Sequence, residues 1–168
     1  MTALFRVLFE IASLRSGPQV LPASTLLFGL VAGGYLLAKL VVLTLASPDV
    51  PRPLLVAGFD LALDAAVLWA ILRLADRQAR FVQSLTALYG VGILLNAALL
   101  PGALLARHGG GPLVTLGLLL ALVVFAWSIV VIGHVLRHAL ELGAAPALAL
   151  AVGWTLLSVF IGQSLGAS

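Results

Sequence analysis

Five long apolar runs, separated by short breaks rich in proline, glycine and charge, dominate the pattern along the chain. They cover residues 24–46, 53–74, 81–100, 113–138 and 147–165. A helix that crosses a bilayer needs about 20 predominantly apolar residues, and each run has roughly that length. Pro53 takes a first helical position, where its missing N–H costs nothing. The other prolines fall outside the runs, at Pro18, Pro22, Pro48, Pro51, Pro101, Pro112 and Pro146. The pattern predicts an all-α integral membrane bundle of five transmembrane helices.

The segment before the first run follows a different pattern. In MTALFRVLFEIASLR, the polar residues Thr2, Arg6, Glu10 and Ser13 share one face of a helix, and apolar residues fill the remainder. This is typical of an amphipathic helix in the membrane interface, the alternative being a helix packed against the bundle. Glu10 interrupts the apolar stretch and no small-residue cleavage site follows closely, which disfavours a signal peptide. We therefore expect an interfacial helix and connector over residues 1–23, within a single membrane domain, residues 1–168.

The composition is also that of a membrane protein, and the distribution of charge excludes nucleic acid as a partner. Hydrophobic residues make up 62% of the chain and charged residues 9%, with a mean hydropathy of +1.22, whereas a soluble domain is about 25% charged. The net charge of +3 comes from cations scattered between apolar runs, which form no basic patch and exclude nucleic acid as a partner. Without cysteine, no disulfide or thiolate metal site can form. Eight arginines against one lysine, with abundant alanine, leucine and glycine, are typical of a bacterial protein.

Arginines in the short loops predict the orientation, because cytoplasmic loops carry an excess of Lys and Arg. With a cytoplasmic N-terminus, the outer loops hold Arg52 and Arg107. The inner segments then hold Arg6, Arg15, Arg73, Arg77, Arg80 and Arg137. This bias predicts a multi-pass protein of a bacterial inner membrane, with its N-terminus in the cytoplasm and its C-terminus outside.

Charged side chains inside two neighbouring runs form the first candidate site. Lys39 lies seven residues before the end of the first run, and Asp60 lies seven after the start of the second. Because a short turn joins these runs, both residues are expected roughly 10 Å below the same edge of the bundle. Asp64 follows one helical turn later on nearly the same face. One lysine cannot neutralise two carboxylates, so Asp64 is left to be protonated, hydrated or hydrogen-bonded by an amide from Asn96 or Gln163. We predict an intramembrane polar cluster of Lys39, Asp60 and Asp64, with Asn96 as a candidate fourth member.

Two interpretations of this cluster stay open. Buried ion pairs can fix the register and partner of a helix without any transport or catalysis. Ionisable residues inside a membrane also mark ion and proton pathways.

A second candidate site is the dense charge cluster between the second and third runs. It contains Arg73, Asp76, Arg77 and Arg80, on the predicted inner side. Arginines at this position can bind anionic lipid headgroups. The alternative is a docking site for a cytosolic partner.

Signals for catalysis or metal binding are weak. His134 and His138 are one helical turn apart, but His108 is predicted on the opposite side of the membrane, so a third ligand is missing. No G-x-S-x-G, phosphate-binding glycine loop or H-E-x-x-H motif occurs, and HGGGP at 108–112 is expected to be a turn. We therefore expect no enzymatic activity, no metal and no cofactor.

Small residues and tryptophans within the runs favour helix packing. Trp127 and Trp154 lie away from the ends of their runs, so both are expected between helices. Small residues four apart let helix backbones approach, either within the bundle or in a dimer. Such pairs are Gly29 and Gly33, Ala149 and Gly153, and Gly162 and Gly166.

Three segments and the layout of five runs carry a resemblance to a known family. The segments are GPQVLPAS at 17–24, SLTALYGVGILLN at 84–96, and WSIVVIGHVLRHALELGAAPALALAVGWTLLSVFIG at 127–162. Together with the five runs they resemble the YIP domain (Ypt-interacting-protein) membrane family, in layout and hydropathy over nearly the whole chain. The resemblance implies a five-helix, non-enzymatic integral membrane protein and assigns no catalytic residue.

These observations favour a non-enzymatic membrane scaffold or accessory protein. Its expected partners are membrane lipids, a second copy of the chain or another membrane protein. The rival hypothesis is a small proton- or ion-coupled transport component that uses the Asp/Lys cluster.

Overall fold

The computed structural model describes the backbone of residues 2–166 and the side chains of residues 3–162. In this part of the chain all regular structure is helical. The α-helices are α1 (Thr2–Ala12), α2 (Thr25–Ala46), α3 (Pro53–Leu74), α4 (Phe81–His108), α5 (Pro112–Leu140) and α6 (Ala144–Gly166). By length and composition, α2 to α6 can each cross a membrane. The predicted all-α bundle is confirmed, and the chain is a multi-pass membrane protein.

The spanning helices alternate in direction because short turns join them. The α3–α4 and α5–α6 turns meet at one end of the bundle, where Arg80 pairs with Glu141. The α2–α3 and α4–α5 turns meet at the other end, where Arg107 Nη1 lies 3.5 Å from Asp49 Oδ2. We call these the Glu141 end and the Asp49 end.

Three prolines expected outside the runs lie within helix bounds. Pro112 takes the first position of α5, where its missing N–H costs nothing. The helix containing the third run does not end before Pro101, because α4 continues through this residue to His108. Proline cannot donate the bond to the carbonyl four residues earlier, but close packing against a neighbouring helix supports such a site in a membrane protein. Gly102 supplies that packing, directly against α5. Pro146 lies in the first turn of α6, where backbone N–H groups have no intrahelical partner.

Helices α4 and α5 make backbone contact at two glycines. A Cβ atom on Gly117 would lie 2.3 Å from the Ala106 backbone nitrogen and 2.6 Å from the Gly102 carbonyl oxygen. A Cβ atom on Gly102 would lie 3.0 Å from the backbone nitrogen of Ala121. A side chain at Gly117 would overlap backbone atoms of α4, so this glycine permits the close approach of the two helices.

Helix α1 packs against the bundle near the Glu141 end. Leu8 and Ile11 are buried in a cluster with apolar side chains of α4 and α5. Trp127 of α5 donates its indole N–H to the carbonyl of Ala12 at 3.0 Å. Phe5 and Phe9 face outward, with exposed fractions of 59% and 56%. The helix predicted at the N-terminus is therefore present, and one of its apolar sides contacts the bundle.

The small residues and tryptophans predicted to pack between helices divide into two groups. Trp154 is buried as expected, whereas Trp127 is 42% exposed and contacts the end of α1 through its indole N–H. An added Cβ atom would meet nothing within 4 Å at Gly29, Gly33, Gly153 or Gly162. These glycines are not at close helix contacts within the bundle.

Candidate functional site

Lys39 and Asp60 form an ion pair between α2 and α3. The Lys39 Nζ atom lies 2.5 Å from Asp60 Oδ2, and the two side chains are 24% and 19% exposed. The same Nζ lies 6.0 Å from the centroid of the Tyr35 ring, one turn earlier on α2. The pair expected from matching depth is thus present, because the short α2–α3 turn holds the two helices in register.

Asp64 is bonded to a residue that the sequence argument did not assign to the cluster. Trp154 of α6 donates its indole N–H to Asp64 Oδ1 at 2.9 Å. Asp64 lies ten residues before the end of α3 and Trp154 ten after the start of α6. Both are therefore roughly 15 Å from the Glu141 end, at 1.5 Å per residue. This bond extends the cluster from α2 and α3 to a third helix.

Aromatic side chains fill the space between α2, α3 and α4 beside the cluster. Tyr35 and Tyr89 stack with ring centroids 5.0 Å apart, and Phe28 lies 6.1 Å from Tyr89. The Tyr89 hydroxyl donates to the carbonyl of Leu61, between the two aspartates, at 2.6 Å. Tyr89 therefore has a partner for its buried hydroxyl and links α4 to α3.

Asn96 is placed apart from these bonds. Its side-chain amide donates to the carbonyl of Gly92, one turn earlier on α4, at 2.8 Å. The Asn96 amide, which was predicted to donate to Asp64, therefore donates to the backbone of its own helix instead. The side chain of Gln163, the other amide considered for that role, lies outside the described residues.

The arginines of the α3–α4 segment converge on an acid from the α5–α6 turn. Arg77 Nη2 lies 2.6 Å from Glu141 Oε2, and Arg80 donates to the other carboxylate oxygen. Arg73 points elsewhere, with its Cζ 5.4 Å from the centroid of the Trp69 ring. The sequence argument omitted Glu141, although its loop lies on the same predicted side of the membrane as these arginines.

Arg80 also completes the end of α5. Its Nη1 donates to the carbonyls of His138 and Ala139 at 3.0 and 3.1 Å. These carbonyls belong to the last turn of α5, where carbonyl groups have no N–H donor within the helix. The negative end of the helix dipole also attracts a cation there. Glu141 follows in the left-handed region (φ 58°), and the backbone N–H of Leu142 bonds the Arg137 carbonyl at 3.1 Å. The ion pairs thus hold a non-glycine residue in a conformation usually taken by glycine.

We expect the Glu141 contacts to make stability depend on acid pH. Hydrogen bonds from Arg77 and Arg80 lower the pKa of Glu141 from 4.5 to about 2. A carboxylate with a lowered pKa in the folded state stabilises the protein above about pH 4.5, and this contribution is lost as the pH falls toward 2. The thermal midpoint of wild type in detergent should therefore exceed that of Glu141→Gln at neutral pH, and the two should converge in acid. A gap that stays constant over this range would contradict the assignment.

His134 and His138 contact other groups of the same chain. His134 Nε2 lies 2.9 Å from the carbonyl of Ser16, in the connector after α1. The rings of His134 and His138 meet edge to face with centroids 4.6 Å apart. His108 lies at the opposite end of the bundle, at the end of α4. In the described part of the chain, no group of three potential metal ligands comes together.

The arrangement as a whole connects helices. Within the spans, the charged and polar groups of α2, α3, α4 and α6 bond to one another. At the Glu141 end, two arginines and one acid join the α3–α4 and α5–α6 turns. Comparisons with protein-family models, with curated proteins and with solved structures find no match to this chain.

Proposed function

We propose that the protein is a non-enzymatic membrane scaffold or accessory protein that contacts lipid or another membrane protein. The observation that carries this proposal is the bonding of α3. Its two carboxylates are held by two different helices, Asp60 by Lys39 of α2 and Asp64 by Trp154 of α6.

The packing of α3 explains why such bonds suit a structural role. Fully buried apolar residues on this helix are few, and they are Ala57, Leu68 and Leu72. Apolar side chains do little to fix the position of one membrane helix relative to its neighbours, since lipid tails are as apolar as leucine. Specific polar contacts supply the register instead, as buried ion pairs do in other bundles.

The outer surface supports contact with another helix. Gly29 and Gly33 lie exposed on α2, and Gly153 lies exposed on α6. Helix faces with small residues allow a neighbouring backbone to come close, where packing and not water drives association. This surface suits a second copy of the chain or a different membrane protein.

The distribution of arginines between the two ends of the bundle supports an orientation in the membrane. We place the Glu141 end in the cytoplasm of a bacterial cell, with the protein in the inner membrane, because arginines are concentrated at that end. The resemblance to the YIP domain family is consistent with a five-helix, non-enzymatic protein and stays a prediction.

One observation favours the rival function, a proton- or ion-coupled transport component. Asp64 receives its hydrogen bond from a neutral indole, so this bond supplies no counter-charge. A carboxylate in such a place can exchange a proton without breaking an ion pair.

The two functions differ in the effect of Asp64→Asn. Asparagine keeps an acceptor oxygen for Trp154, so the variant should fold with a thermal midpoint close to that of wild type. For a scaffold, vesicles containing wild type or the variant should show equal proton flux, no greater than in protein-free vesicles. A pH-dependent flux in wild type that the variant loses would contradict the scaffold. Purification of the intact assembly in mild detergent would then identify the protein or lipid that accompanies the chain.

A further inference from the structure

Six exposed residues of α3 form a stripe along one side of the helix. They recur every three or four positions, which places them on a common face. This lipid-facing stripe consists of Leu55, Phe59, Ala62, Ala66, Trp69 and Arg73. Asp60 and Asp64 lie on the opposite side, where they bond to α2 and α6. The stripe is apolar up to Trp69, so in a membrane this face of α3 contacts lipid.

Trp69 and Arg73 lie at the level where hydrocarbon gives way to headgroups. Helix α3 has 22 residues and is roughly 33 Å long at 1.5 Å per residue, which closely matches a hydrocarbon core of about 30 Å. Arg73 is one residue from the Glu141 end of this helix, and Trp69 lies one turn earlier. Tryptophan and long cationic side chains suit this level, because each combines an apolar part with a polar one.

Arg73 is the arginine of the α3–α4 segment that no acid neutralises. Its Cζ atom lies 5.4 Å from the centroid of the Trp69 ring, so the guanidinium lies over the indole. The other two arginines of this segment both bind Glu141. Over the range of side chains that the structure describes, Arg73 forms no ion pair, even with Asp76, the acid nearest to it in sequence. Its charge is therefore free to bind a ligand.

Trp69 also has an unused donor. The other two tryptophans donate their indole N–H groups within the chain, one to the Ala12 carbonyl and the other to Asp64. Among residues 3–162, no group accepts a hydrogen bond from the Trp69 N–H, and this residue is 48% exposed. A ligand oxygen beside Arg73 can therefore accept from both side chains.

Positive charge at the Glu141 end favours an anionic ligand. Arginines there outnumber acidic residues five to two, apart from the Arg6–Glu10 pair, which adds no net charge. The arginines are Arg15, Arg73, Arg77, Arg80 and Arg137, and the acids are Asp76 and Glu141. Lipid phosphates lie at the level of the headgroups, and anionic phospholipids give this surface its negative potential. An anionic phospholipid therefore matches this end of the bundle in charge and in position.

We propose that Trp69 and Arg73 bind the headgroup of an anionic phospholipid, with the guanidinium and the indole N–H donating to its phosphate oxygens. The proposal names the lipid contact of the proposed function and rests on that function only in this respect. It assigns the contact to one of the three arginines predicted from the sequence, since the other two are bonded to Glu141. It also adds Trp69, which the sequence argument omitted.

Fluorine NMR of the full chain, labelled with fluorotryptophan and held in detergent micelles, tests the proposal at a single residue. The chain has three tryptophans, and Trp69→Phe identifies the signal of Trp69. Short-chain phosphatidylglycerol should shift this signal at lower concentration than phosphatidylcholine of the same chain length, which has no net charge. Arg73→Gln should weaken binding of phosphatidylglycerol about fivefold, since one basic residue near an anionic lipid surface contributes about 1 kcal/mol.

Arg137→Gln is the matched control. Arg137 is also an exposed arginine at the Glu141 end, but it lies on α5 and away from Trp69. This variant should bind phosphatidylglycerol at Trp69 as wild type does. An unchanged signal from Trp154, which is buried in the bundle, shows that each variant is folded.

Three results would overturn the proposal. They are equal binding of phosphatidylglycerol by Arg73→Gln and wild type, equal binding of the two phospholipids by wild type, and inorganic phosphate binding at Trp69 as tightly as phosphatidylglycerol. An equal loss of binding in both arginine variants would assign the effect to net charge and would also contradict the site. A positive flux result would contradict the scaffold function without altering these binding results, so the two failures are distinguishable.

Discussion

Replacing Gly117 with alanine is expected to reduce the free energy of unfolding by about 3 kcal/mol, the upper part of the usual range for overpacking. The added Cβ atom would lie 2.3 Å from the Ala106 nitrogen, which is a backbone atom and cannot rotate away. Helices α4 and α5 must therefore separate, and this disturbs the backbone contact at their crossing. Unfolding by titration with a denaturing detergent in mixed micelles would measure the loss.

Gly29→Ala is the matched control for this prediction. The same methyl group is added within a spanning helix, in the second turn of α2, but nothing lies within 4 Å of the new Cβ atom. Because alanine also has the higher helix propensity, this variant should be as stable as wild type or slightly more so. Equal loss of stability in both variants would show that the α4–α5 crossing has no special role.

Replacing Lys39 with methionine is expected to lower the free energy of unfolding by roughly 3–5 kcal/mol, as when one partner of a buried ion pair is removed. Methionine keeps the length and flexibility of the side chain, but the Asp60 carboxylate loses the ammonium at 2.5 Å. Titration with denaturing detergent would again measure the change.

The double variant Lys39→Met with Asp60→Val separates the lost charge from lost packing. With both charges removed, no uncompensated carboxylate remains, so stability should return to near that of wild type. Measured together with Asp60→Val alone, the three variants give the coupling energy between the two positions. If the double variant were less stable than Lys39→Met alone, packing of the side chains and not the ion pair would account for the loss.

Depth along neighbouring helices was sufficient to predict the Lys39–Asp60 pair. A short turn joins α2 and α3, so residue counting from that turn places both side chains at one level. No such count connects Asp64 to Trp154, because α3 and α6 are far apart in sequence and their adjacency follows from how all the helices pack. A donor for Asp64 could be predicted from the sequence, but its identity could not.

Glycine positions show a similar limit. The small-residue spacing drew attention to Gly29, Gly33 and Gly153, which face outward. The crossing of α4 and α5 instead uses Gly102 and Gly117, one from each helix. Spacing within one run cannot reveal such a contact, since the two residues that approach each other belong to different runs.

The contact between Arg80 and Glu141 has a consequence for biogenesis. Sixty-one residues separate the two positions, and a ribosome adds about 5–20 residues per second. For several seconds after it is made, the α3–α4 segment therefore carries its arginines without the acid that later neutralises part of their charge. That interval is when the translocation machinery reads positive charge to decide which side a loop occupies. We therefore propose that the same side chains first direct this loop to one side of the membrane and afterwards bond it to the α5–α6 turn.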